Sequence, residues 1–268
     1  MPYSAEVSRD KPSCFLFMVD QSSSMSEEFS AGDSKQSKSQ GVADTVNRWL
    51  QDLSIKCAKA DGVRDYFHIG VIGYGKKVGS GFIGSMQGRS MVPISEIADS
   101  PARIDERDGG TKIPVWFDAI ADGGTPMCRA ASEAEGILND WLSQNPACFP
   151  PVVIHVTDGE ATDGDPAARI SALSQMASSD GNVMVFNIHL SANPNASPIT
   201  FPDSSDGLPD DYSKMLFETA SPLTPTMRAL AKEYRLATSD SSRGFVLNAD
   251  LGLLVQAIDI GTRPGNLR

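Results

Sequence analysis

The chain is predicted to be an α/β protein, built on a mostly parallel sheet that helices cover on both faces. Continuously apolar runs such as FLFMV at 15–19 and VVI at 152–154 leave no polar side for water, as in strands buried on both faces. Such runs alternate with amphipathic stripes at helical spacing, the pattern of strand–helix–strand units. The first run stops at Asp20, and the second, apolar through Val156 except for His155, ends in a strand that leads to Asp158; in an open α/β sheet the loops part at this carboxyl edge and form a crevice.

With 268 residues and 40% hydrophobic content, the chain can bury one large core. Residues 1–13 read as an irregular lead-in, 14–261 as a single domain with inserted loops near 84–122 and 191–211, and 262–268 as a tail. After the first strand, the small polar residues from Ser26 to Ser39 read as a loop. Val42, Val46, Trp49, Leu50 and Leu53 then mark one face of a helix from about Ser37 to Ala60, with Asp44, Arg48 and Asp52 toward solvent. Asp61 and Gly62 end it, Tyr66–Tyr74 reads as the second strand, and a hairpin leads to a short edge strand near Val78 to Ile83. The region 84–122 reads as an extended loop, with apolar pieces at 91–97 and 113–117 around a charged turn from Arg103 to Gly110.

Pro126 suits a first helical position, and Ala130, Ala134, Ile137, Leu138, Trp141 and Leu142 give that helix its apolar stripe up to Asn145 and Pro146. The strand Val152–Val156 follows. A helix opened by Asp165 and Pro166 then runs to about Ser178, with Ile170, Leu173 and Met176 inward, and Val183–Leu190 is the fifth strand. Ser191–Asp211, rich in Pro, Ser, Asn and Asp, reads as a surface excursion with no packing pattern. Helices at Thr224–Arg235 and Asp250–Ile260 flank the last strand, Phe245–Leu247.

A net charge of -11 and a pI near 4.7 disfavour nucleic acid, whose binding is driven by basic patches. The first residues lack an apolar signal core and no run approaches the roughly 18 residues of a membrane span, so a soluble, cytoplasmic protein is expected. Cys14, Cys57, Cys128 and Cys148 have no Cys-x-x-Cys spacing and read as buried or incidental thiols.

Asp20, Ser22 and Ser24 alternate, so their oxygens can converge on one point, and a carboxylate with hydroxyls suits a hard, oxygen-seeking cation. Taken alone this triplet also reads as an ordinary turn, Thr125 as a helix N-cap and Asp158 as a turn residue before glycine. Asp-x-Ser-x-Ser after a first hydrophobic strand resembles the metal-ion-dependent adhesion site of von Willebrand factor A domains. Gly123-Gly124-Thr125-Pro126-Met127 is similar to the threonine loop of bacterial members, and 152–160 to the later strand with its aspartate. One departure is Ser23, where the family usually has glycine.

The resemblance implies a Rossmann-like three-layer αβα fold with one antiparallel edge strand. It also implies a Mg2+ site, with Mn2+ or Ca2+ as alternatives, held by Asp20, Ser22, Ser24, Thr125 and Asp158. A partner protein would complete the metal's shell with an Asp or Glu, in adhesion rather than catalysis. Asp118, Glu160 and Asp163 are expected to support the site or face solvent. Gly123–Met127, Leu216–Leu223 and the ending Asn248–Arg263 further resemble bacterial stand-alone domains of tellurite-resistance and stress operons, which implies a phosphatase or kinase as partner and a stress or phage-defence role.

No enzyme is expected, because the three histidines, His68, His155 and His189, lie inside apolar strands, and no nucleophile elbow or phosphate loop occurs. A phosphatase of the haloacid-dehalogenase type would carry a second aspartate where Ser22 stands. A magnesium-dependent phosphohydrolase on the same fold, and a structural subunit whose metal site is degenerate because of Ser23, are the alternatives.

Overall fold

Ser13–Asp20 form β1 at the centre of the computed structural model of the chain, which describes residues 3–31, 34–107, 110–191 and 197–263. Every β1 residue is buried, and its side chains alternate between two cores. Phe15, Phe17 and Val19 enter one, Cys14, Leu16 and Met18 the other. Such a strand must have helices on both sides, since each face alone would leave an apolar stripe in water.

The central sheet has eight strands. Besides β1 they are β2 (Phe67–Tyr74), β3 (Val78–Ser80), β4 (Val92–Pro93), β5 (Val152–Thr157), β6 (Met184–Leu190), β7 (Ile199–Thr200) and β8 (Phe245–Ala249). Their order is β7-β8-β6-β5-β1-β2-β3, with β4 also on β2. β8, β6, β5, β1 and β2 are parallel neighbours. The antiparallel edge implied by the resemblance is β3, with β4 beside it, and the opposite edge carries a second antiparallel strand, β7.

Helices α1 (Lys38–Cys57), α2 (Ile94–Asp99), α6 (Pro225–Glu233) and α7 (Leu251–Thr262) bury Val46, Ile97, Leu230 and Ile258 against the Phe17 face. On the other face lies α3 (Met127–Gln144), which packs Leu138 with Ile170 of α4 (Ala167–Gln175) against the Leu16 face. Beside them α5 (Asp211–Thr219) covers Phe245 and Leu247 with Leu216 and Phe217. From β1 the chain steps to β2 on one side and later to β5 on the other, so the order switches direction between β1 and β5, where their carboxyl ends diverge.

Several loop expectations are corrected. Within 26–39 the strands Glu28–Ala31 and Ser34–Ser37 form an antiparallel hairpin that leads straight into α1. The region 84–122 is ordered by α2 and by a second hairpin, Arg103–Arg107 with Thr111–Val115. Buried Asn47 of α1 holds it, donating to the Phe117 carbonyl and accepting from the Trp116 and Phe117 amides. Ser191–Asp211 was expected to lack packing, yet β7 lies in it and Phe201 is fully buried; α5 was not foreseen at all. The helix after Pro166 ends at Gln175, not near Ser178, and α7 extends through Thr262, which accepts from Trp49 Nε1. Parts of the expected lead-in, loops and tail, at 1–2, 32–33, 108–109, 192–196 and 264–268, lie outside the described residues.

Candidate metal centre

In the β1–β5 register Val19 faces Val156, which sets Asp20 beside Thr157 at the switch point. Asp20 is buried, its Oδ1 accepts the Ser22 amide at 2.8 Å and its Oδ2 accepts the Thr157 hydroxyl at 2.8 Å. The chain then turns into a short 3-10 segment, Ser23–Ser26, anchored by buried Met25. The turn brings Ser22 Oγ within 3.0 Å of Ser24 Oγ, and Ser24 Oγ donates to Asp158 Oδ1 at 2.7 Å. Residues far apart in sequence are thus joined by hydrogen bonds, Asp20 to Ser22 through the Ser22 backbone amide, then Ser22, Ser24 and Asp158 through their side-chain oxygens.

Thr125 arrives differently. Gly123 precedes it with φ +92, and a Cβ there would lie 2.5 Å from the Lys76 amide, so only glycine lets this loop pass the β2–β3 turn. The Ser23 amide and hydroxyl both donate to the Gly123 carbonyl, at 2.9 and 3.1 Å, tying the threonine loop to the serine loop. Ser23 is absent from the positive-φ positions, so its side chain is unstrained and supplies a link that glycine would lack. On its other side the Thr125 amide donates to Thr162 Oγ1 and its carbonyl accepts the Thr162 amide, each at 2.9 Å. Thr125 is 6% exposed between these two attachments. Pro126 caps α3 rather than starting it, and Asp163 accepts the Cys128 and Arg129 amides, satisfying two free donors of the first turn.

Three contributors were not found by reading the sequence. Thr157 donates to Asp20, and its signal was only its position, one residue before Asp158 and level with Asp20. Tyr212 of α5 donates to the Gly159 carbonyl at 2.5 Å and steadies the loop after β5. Lys38, the first residue of α1, is 3% exposed and places Nζ 2.8 Å from Asp158 Oδ2 and 2.8 Å from Glu27 Oε2. A lysine there sits at the positive end of a helix dipole, an unfavourable place unless a carboxylate holds it. Of the other acidic residues, Asp118 pairs with Arg103 and Glu160 is exposed.

Burial pushes the Asp20 carboxyl up to about 6 against the lowering pull of its hydrogen bonds, and neighbouring Asp158 adds to the rise. Among the described residues no Lys, Arg or His pairs with Asp20, so its negative charge has hydrogen-bond donors but no counter-ion. A bound cation would relieve that cost. The donors are all oxygens, which fits a hard divalent ion. No group of three or more His, Cys, Asp or Glu side chains that could hold a metal ion occurs among the described residues, so hydroxyls would have to supply much of the shell.

His155 lies behind the site and is fully engaged. Its Nδ1 donates to Asn187 Oδ1 at 2.9 Å, because the Asn187 amide nitrogen already donates to the Leu216 carbonyl and Thr219 Oγ1. Nε2 therefore accepts the Tyr74 hydroxyl at 2.7 Å. Burial lowers this imidazole to about 4. All four cysteines are free.

No protein-family model matches the chain, and no curated protein matches it. Among solved structures it is similar to proximal thread matrix protein 1 of the mussel byssus, at 15% identity and TM-score 0.48, over 93% of this chain and 48% of that one. It is similar to the ArnB paralog VWA2 from Sulfolobus acidocaldarius, at 15% identity and TM-score 0.37, over 69% and 36%. It is also similar to the vWF domain of the type V pili tip protein Mfa5 from Porphyromonas gingivalis, at 13% identity and TM-score 0.32, over 56% and 39%. The chain spans less than half the length of each of these three.

Proposed function

We propose that the chain is a protein-binding module that holds a divalent cation, Mg2+ first and Mn2+ or Ca2+ as alternatives, at Asp20, Ser22, Ser24, Thr125 and Asp158. The observation that carries this reading is the continuous chain of hydrogen bonds from Asp20 to Asp158 at the sheet's switch point, with a buried Asp20 carboxylate that has no counter-ion among the described residues. Asp20, Ser22, Ser24 and Asp158 are joined there, and Thr125 enters through the Ser23–Gly123 link.

The bound ion would supply an electrophilic centre. Two carboxylates and three hydroxyls leave a small cation short of the roughly six oxygens it prefers, so an outside carboxylate has a place to bind. Ser23, Gly124 and Glu160 are exposed around the loops and form the rim that a partner's Asp or Glu would meet. The role is binding rather than turnover. Both nitrogens of His155 are committed within the core, and His189 faces Tyr212 with its Nδ1 beside the Asn248 amide. A phosphatase or kinase partner and a stress or defence pathway rest on the sequence resemblance alone. No helix among the described residues is long and apolar enough to cross a membrane.

Affinity capture from a lysate with the purified chain tests this reading. A protein retained in Mg2+, released by chelator and not retained by Asp20→Ala supports it. A partner held equally by Asp20→Ala in chelator contradicts it.

A further inference from the structure

Both oxygens of Asp158 are already engaged: Oδ1 accepts the Ser24 hydroxyl at 2.7 Å and Oδ2 accepts the Lys38 ammonium at 2.8 Å. The lysine and aspartate side chains are 3% and 0% exposed, so this pair is sealed from water, while the second carboxylate on Lys38, that of Glu27, is 55% exposed. Solvent screens the Glu27 contact, and the lysine charge acts chiefly on Asp158. A divalent ion brought to the same carboxylate would meet that ammonium a few ångströms away across a poorly screened interior, where like charges repel strongly.

The backbone keeps Lys38 in place. It is the first residue of α1, capped by Ser37, whose side chain accepts the Gln40 amide, and its own amide donates to the Glu27 carbonyl at 3.0 Å. Glu27 and Lys38 thus close the neck of the Glu28–Ala31/Ser34–Ser37 hairpin. The ammonium is therefore delivered to the site by a built element, at a helix position that disfavours positive charge.

We propose that Lys38 is a resident counter-cation of Asp158 that competes with the divalent ion, so that metal uptake draws the ammonium away from Asp158 and the lysine sets the metal affinity of the site. This inference rests on the divalent-ion reading above. It adds that the chain carries its own monovalent occupant at one of the two carboxylates, which neutralises Asp158 in the metal-free protein and weakens metal binding.

Two measurements on the full chain test it. Calorimetric titration with Mn2+ compares the wild type with Lys38→Met, which keeps the length of the side chain without its charge. The expected result is a gain in affinity of about tenfold or more in Lys38→Met. Equal or weaker binding would overturn the proposal, and weaker binding would make Lys38 a support that positions Asp158. The second measurement needs no variant: acetylation of Lys38 in the wild type, followed by mass spectrometry, in Mg2+ and in chelator. Competition predicts labelling several-fold faster in Mg2+, and an unchanged or slower rate overturns it. If the wild type binds Mn2+ and Lys38→Met binds it no better, the competition alone fails. If neither chain binds Mn2+, the metal reading fails and the competition with it.

Discussion

The Thr157 hydroxyl lies 2.8 Å from Asp20 Oδ2 and donates to it, joining the ends of two adjacent parallel strands through a buried hydrogen bond. It follows directly from register, since any residue in that place on β5 faces the last residue of β1. The Ser22 amide takes the other oxygen, so the Asp20 carboxylate is oriented before any ligand arrives.

Thr157→Val keeps the shape and removes that donor. A buried carboxylate oxygen left without its partner costs about 1–3 kcal/mol, so urea unfolding in chelator should show a loss in this range. An unchanged midpoint would mean that the Asp20 carboxylate does not depend on this bond.

His155 makes stability pH-dependent. Its pKa in the fold is lowered by burial to about 4, below the ordinary value of 6.5, so between these values the unfolded chain binds more protons than the folded one. Its contribution is therefore present above about pH 6.5 and is lost as pH falls toward 4, on the order of 3 kcal/mol in all. Asp20, raised to about 6, works in the opposite sense, its contribution being lost as pH rises from 3.8 toward 6. The difference between wild type and His155→Gln in urea unfolding at a series of pH values isolates the histidine. That difference should shrink with acid over this window, and a constant difference would refute the assignment.

Ser23 replaces the glycine expected from the family resemblance, yet its amide and hydroxyl both reach Gly123. Ser23→Gly should therefore destabilise the chain by about 1 kcal/mol and weaken the tie to the Thr125 loop. A Ser23→Gly chain that is more stable, or that binds Mg2+ where the wild type does not, would favour a degenerate site instead.

Gly123→Ala forces a side chain onto a left-handed backbone and against the Lys76 amide. A loss of about 1–3 kcal/mol is expected, with faster amide exchange across 121–126 than in the wild type. Exchange no faster than in the wild type would show that the loop accommodates a Cβ.

What the sequence disclosed, and what it hid, follows from the range of the interactions involved. β1 was legible because a strand buried on both faces leaves an unbroken apolar run, β5 because its run is broken only by His155 before Thr157, and α1 and α3 because their stripes span several turns. The hairpin at 28–37 was not, because SKQS carries no apolar alternation that would mark it as a strand. The helix α5 was hidden because its start is fixed by the Asp210–Ser213 capping box at the end of a long polar stretch that reads as loop. The region 84–122 is shaped by Asn47, a tertiary contact that no local pattern announces. At the site, the spacing Asp20-x-Ser22-x-Ser24 was readable because it is local. Lys38 lies 120 residues from Asp158, and only its odd place at a helix start hinted at a partner.

Calorimetric titration of Mg2+ into the wild type and Thr125→Ala tests the central claim most directly, because Thr125 is the proposed ligand whose side chain has no hydrogen bond to the other four in the structure. The account predicts one saturable site in the wild type, lost or severely weakened in Thr125→Ala while the fold is kept. Saturable binding of equal strength in both chains, or none in the wild type, would contradict it.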